Sequence, residues 1–420
     1  MEIGGTQIRR PYLDWLRIII VALLIPFHAA LTYTPYPFWF VHSGQNDLAL
    51  EGLVTVLDKF QMPLLFLIAG AAVFFSLGIR SWKQFALERL LRLVIPLAFG
   101  MLVLVPPCYW VAARSLMDYQ GTLWQFYPQY WGTNMLPSSL PGLFKPGVLW
   151  FLWYLVIYTI ILSPLFILIR RRSDDKVLSR LGRLFANPWA IFSLFIPIVL
   201  VLIYADNTVL GLSLTGNFRI FYYVIFFIYG FFIYSLPDFQ KGIDKSGPAA
   251  VITGLITLVL TMLLSFPYPS AALLGPKFWA GLNVSTDIAH TIVQVIAGLC
   301  TWSCIVALIY LTRRFLNFTN GFVRYGNEAV LPYYIFHGTA LALVAYWLID
   351  APLAVWPQYL VTVLLSFAAT IAFFEVMKRT LVTRLLIGMR LRKGNAGKIF
   401  HPLKSHVEIA VEKDNKLEER

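Results

Sequence analysis

The chain is 420 residues long, 59% hydrophobic and only 13% charged, with a mean hydropathy of +0.70, which excludes an ordinary soluble globular domain. Its formal net charge of +13 does not point to nucleic acid, because the basic residues fall between long apolar runs and in the tail, where membrane orientation and anionic headgroups account for them. Cys108, Cys300 and Cys304 all lie inside apolar segments and offer neither a disulfide framework nor zinc spacing.

About 20 apolar residues cross a hydrocarbon core, and ten such stretches occur, at 12-34, 52-78, 90-112, 148-169, 188-205, 218-235, 248-266, 286-311, 329-349 and 357-377. The expected fold class is therefore all-α, a polytopic transmembrane helical bundle over residues 1-390, with a charged, disordered cytoplasmic tail at 391-420. Arg9 and Arg10 ahead of the first apolar run, and Ala29 and Ala30 after it, imitate a secretory signal. The run is too long for one, and too many spans follow, so an uncleaved first helix is expected.

Orientation follows from the basic residues, which are retained on the cytoplasmic side. With a cytoplasmic N-terminus and ten spans, every Lys and Arg falls on that side except Arg114, Lys145, Arg219 and Lys277 outside and Arg17 and Lys59 within spans. Both termini are then cytoplasmic. The longest connection within the bundle, 113-147, lies outside and is rich in Tyr, Trp, Pro and Gly; it reads as an interfacial aromatic belt or a cap that shapes a substrate site.

Ionisable groups inside spans are the informative residues, since each is costly at mid-bilayer unless paired or hydrated. On the first span, Arg17 and His28 are eleven residues apart, close to three helical turns, so they share a face and differ in depth by about 16 Å. The second span enters from outside and carries Asp58 and Lys59. Asp58 and His28 each lie about six residues, or about 9 Å, below the outer ends of their helices. The matched depth predicts a contact that would fix the imidazole tautomer of a general base. The plainer reading pairs Asp58 with Lys59 or Arg17 as a helix clasp.

Arg89 and Arg92, three residues apart ahead of the third span, share a helix face. They suit a two-point grip on phosphate, although from composition alone ordinary positive-inside charge is the favoured explanation. In the ninth span His337 reads as a helix-bridging hydrogen bonder or a site residue. His290, three residues after Asp287 near the outer end of the eighth span, is placed to line an outer mouth. His42 lies in a loop and carries no prediction. No metal-ligand spacing, nucleophile elbow or Gly-rich phosphate loop occurs.

The Arg17-x10-His28 span resembles the first helix of the acyltransferase-3 family of membrane proteins. The resemblance continues through Phe60-Gln61-Met62-Pro63, Ile68-Ala69-Gly70, Arg89-x-x-Arg92 before Pro96, Leu149-Trp150-Phe151-Leu152 and Pro332-Tyr333-Tyr334-Ile335-Phe336-His337. Several segments are similar to the branch that includes glucan-succinylating proteins. The resemblance implies a multi-pass protein of the cell inner (plasma) membrane that moves an acyl group, acetyl or succinyl, from cytoplasmic acyl-CoA to a hydroxyl of an extracytoplasmic carbohydrate or glycan, with no metal.

It implies His28 as the catalytic base with Arg17 as its paired arginine, and Arg89 and Arg92 as holders of the coenzyme. Trp150, His337 and His290 are candidates for the substrate site, and Asp58 for orienting His28. Unlike many relatives, the chain carries no fused C-terminal esterase-like domain, which leaves the final acceptor open. A transporter or flippase with His, Asp and Arg along a solute path is the alternative from another class; against it, no inverted half-repeat is visible.

Overall fold

The computed structural model describes residues 10–35, 39–77, 82–131, 146–171, 176–204, 220–264, 281 and 284–389. The predicted tail at 391-420 and part of the outer loop, 132–145, lie outside them.

No strand occurs among the described residues; the chain is a helical bundle. The helices are α1 (Pro11–Leu31), α2 (Leu48–Leu77), α3 (Trp82–Phe99), α4 (Val105–Leu116), α5 (Leu123–Trp131), α6 (Trp150–Arg171), α7 (Lys176–Phe185), α8 (Pro188–Ser193), α9 (Phe195–Tyr204), α10 (Ile220–Ser235), α11 (Pro237–Leu264), α12 (Thr286–Phe315), α13 (Gly321–Leu348), α14 (Val355–Met377) and α15 (Leu381–Leu386). Eight are long and apolar enough to cross a membrane, α3 and α4 counting as one continuous span across a π-helical turn at Gly100–Leu104. The two remaining predicted positions hold different objects. One is a helix pair, Leu178–Phe185 and Pro188–Tyr204, bent by 101°, and the other is the short apolar helix Ile220–Ser235.

Helix boundaries follow local chemistry. Pro11 stands in the first turn of α1, where its missing N–H is no loss. Ser285 and Asn320 cap α12 and α13, their side chains accepting from the backbone N–H of Ile288 and Val323. The bend between α7 and α8 comes at Asn187–Pro188, where Asn187 restarts the helix as its cap.

The interior is built around α1, α2 and α13, while α11 and α14 are peripheral, with Ile252, Leu255, Ile256, Leu364 and Leu365 on an exposed apolar belt suited to lipid. Helices α2 and α10 meet backbone to backbone. A Cβ on Gly70 would stand 1.9 Å from the Phe227 carbonyl oxygen, and one on Gly230 would stand 1.9 Å from that of Leu67. Only glycine permits this approach, the usual device by which helices pack where burial of apolar surface from water gives no drive.

Candidate active site

Helices α1 and α13 run side by side in the same direction, and their register sets the site. At one end Trp15 lies against Phe318 and Phe322. One turn on, Ile18 fills the space beside Gly326 that a Cβ would need. Arg17 donates from Nη2 to Asp14 Oδ1 at 3.2 Å and to the Asn327 side-chain oxygen. Eleven residues further along α1 and ten along α13, His28 and His337 meet with ring centroids 5.1 Å apart and an interplanar angle of 45°. Spacings that differ by one residue on two parallel helices bring the histidines to within about 1.5 Å of one level.

Both imidazoles are oriented by their own helices. His28 Nδ1 lies 2.9 Å from the Leu24 carbonyl oxygen, and His337 Nδ1 is hydrogen-bonded to the Tyr334 carbonyl. A carbonyl can only accept, so each Nδ1 carries the proton and each Nε2 presents a lone pair. The Nε2 of His337 is buried without a partner. Trp39 stacks on His28 with centroids 4.8 Å apart at 26° and is itself buried, its indole N–H donating to Thr32 Oγ1 at 3.2 Å. Trp39 was not singled out from the sequence, because nothing in a loop's composition shows that it folds back into the bundle; here Trp39, Phe40 and Val41 all do.

The segment around His337 is pinned on both sides. Tyr334 donates its hydroxyl to the Val148 carbonyl at 2.6 Å, and Thr339 donates to the carbonyl of Leu104 at 2.7 Å, within the π-helical turn. Such turns free backbone groups for use by neighbours. Trp150, beside this segment, is buried in an aromatic cluster with Phe66, Tyr154 and Tyr223, and Phe151 makes the ring contact to Tyr334.

The expected contact between His28 and Asp58 is corrected. Asp58 pairs with Lys59 at 3.7 Å and its side chain is 62% exposed. The reason is axial register. Gln61 donates to the Ile20 carbonyl at 3.2 Å, which matches residue 61 of α2 with residue 20 of antiparallel α1. His28, eight residues further along α1, then lies level with residue 53, and Asp58 sits about 7.5 Å away along the helix axis. Counting from helix ends failed because α2 begins at Leu48, four residues before the predicted span. The carboxylate nearer the level of His28 is Glu51, 3% exposed, with a buried Oε1 that has no hydrogen-bond partner. It escaped the sequence reading because it fell outside that predicted span.

The other candidates lie apart from the histidine pair. The Arg89 guanidinium lies 5.7 Å over the Phe85 ring, and Arg92 Nε donates to the Gly388 carbonyl at 3.4 Å, where the chain folds back after α15. His290 is exposed near the start of α12, with Gln294 as its hydrogen-bond partner. Among the described residues, no group of three or more His, Cys, Asp or Glu side chains is placed to hold a metal ion.

Comparison with known proteins gives the family. Residues 10–375 match the family profile described as an acyltransferase domain, Acyl_transf_3. Relatives named "Glucans biosynthesis protein C" from Salmonella paratyphi A and Salmonella agona are 24% identical over 345 residues, which cover 78% of this chain and 81% of theirs. No solved structure matches the chain. With a profile match across nearly the whole described bundle, this protein belongs to the acyltransferase-3 family and is a multi-span membrane acyltransferase.

Proposed function

We propose that the protein is an O-acyltransferase of the inner membrane that moves an acetyl or succinyl group from cytoplasmic acyl-CoA to a hydroxyl of an extracytoplasmic glycan. The observation that carries this reading is α1 itself: Arg17 near one end and His28, its Nδ1 held by the Leu24 carbonyl, near the other, on one helix face; the asymmetry of basic residues supports placing the Arg17 end at the cytoplasm. Arg89 and Arg92, with Arg17 above them, hold the phosphates of the donor. The pantetheine arm runs outward between the helices, over the roughly 16 Å that separate Arg17 from His28.

At the outer end, His28 Nε2 takes the proton from the acceptor hydroxyl as its oxygen attacks the thioester carbonyl. The new O–C bond forms, the C–S bond breaks, and the proton passes to the departing sulfur, giving free CoA–SH. The Leu24 carbonyl, in place of a carboxylate, keeps the His28 tautomer correct for this. The glycan acceptor rests on the names of the relatives and on a reactive group lying nearer the outer than the cytoplasmic face.

The test is release of free CoA from purified protein given acetyl-CoA or succinyl-CoA with short glucose oligosaccharides. His28→Ala should abolish release while leaving membrane insertion intact; wild-type turnover in that variant excludes the role. Replacing both Arg89 and Arg92 should raise the KM for donor, and an unchanged KM refutes the phosphate assignment.

A further inference from the structure

The proposed base forms an imidazolium without the carboxylate partner expected for it, since Asp58 is paired with Lys59 and lies about 7.5 Å away along the helix axis. The group that does face it is His337. Its ring is 98% removed from solvent by exposure of only 2%, its Nδ1–H is committed to the Tyr334 carbonyl, and its Nε2 lone pair has no partner. A buried acceptor without a donor is uncommon in proteins and asks for an explanation.

We infer that His337 is the second proton-bearing group of the reaction, sharing through its Nε2 the proton that His28 takes from the acceptor hydroxyl. The inference rests on the reading of His28 as base. The ring centroids stand 5.1 Å apart at 45° with no hydrogen bond between them, so a rotation of either ring brings the two Nε2 atoms within reach of an N–H···N bond of about 2.9 Å. Two bare lone pairs do not bond, so the pair closes only when a proton arrives between them.

In the step, the acceptor O–H bond breaks and its proton enters the pair, while the acceptor oxygen bonds to the thioester carbon. The C–S bond then breaks and the proton leaves to the thiolate sulfur, so both rings start and finish neutral. Two imidazolium ions at this separation would repel, so beyond the two Nδ1 protons the pair holds one further proton at a time. The rings keep their spacing because both helices are fixed in register, by Asn327 on Arg17 and by Ile18 against Gly326.

The test uses full-length protein in lipid nanodiscs with succinyl-CoA or acetyl-CoA and glucose oligosaccharides. His337→Gln should lower kcat by about 100-fold or more and leave the donor KM within threefold. Nitrogen-15 imidazole spectra of the wild-type protein should show Nδ1 protonated and Nε2 bare on both rings. A His337→Gln enzyme turning over within threefold of wild type, beside an inactive His28→Ala, overturns this inference alone. An active His28→Ala overturns the base itself. If His337→Gln fails to fold, the wild-type spectra decide, and a protonated Nε2 on His337 refutes the inference.

Discussion

Trp39 is the residue whose removal tests the site most directly, because its ring forms one wall of the His28 imidazole without belonging to any span. In Trp39→Ala, a side chain that is 4% exposed leaves a cavity, which in protein cores costs about 3–5 kcal/mol of stability. The stacked contact at 4.8 Å and 26° is worth about 0.5–1.5 kcal/mol beyond burial, and its loss lets the imidazole swing and admits water through the space the indole filled. If that contact energy serves to hold His28 in its reactive position, kcat should fall by about twofold to twelvefold, since 1.4 kcal/mol is a factor of ten. Trp39→Phe keeps an aromatic face while losing the N–H bond to Thr32 and part of the ring volume, and should retain most of kcat. CoA release by both variants, read beside thermal unfolding in detergent, separates the two contributions. Wild-type kcat in Trp39→Ala would refute the idea that the loop positions His28.

Asp58→Asn should leave turnover within about threefold of wild type, because the carboxylate pairs with Lys59 and not with His28; a loss of 100-fold or more in CoA release would restore Asp58 to the mechanism. Gly230→Ala would press a Cβ to 1.9 Å from the Leu67 carbonyl oxygen, and the overpacking should destabilise by at least about 1–3 kcal/mol, visible as a lower Tm. Burial pushes the pKa of the half-buried His42, in the loop between α1 and α2, below its usual 6.5, against the opposing pull of the Thr34 and Trp39 carbonyls. The neutral ring is therefore the one the folded loop favours: its stabilisation is complete above pH 6.5 and is lost as pH falls through the window below. Amide hydrogen exchange at residues 39–47, corrected for intrinsic pH dependence, should quicken at pH 5 relative to pH 7.5, and equal protection would refute the linkage.

The helical class, the family and the spacing of Arg17 and His28 were legible in the sequence, because apolar run length and helix rise are properties of one segment read along its own axis. How helices slide and turn against one another is not such a property. The hydrogen bond from Gln61 to Ile20 and the fit of Ile18 to Gly326 set those offsets, and they separate Asp58 from His28 while bringing His337 to it. Likewise, a loop of Trp, Phe and Val has no period to reveal its direction, and only the packed structure places Trp39 on the imidazole face. Depth along a helix is a local quantity; contact between helices is a collective one, decided by which small residues and polar side chains allow the backbones to approach.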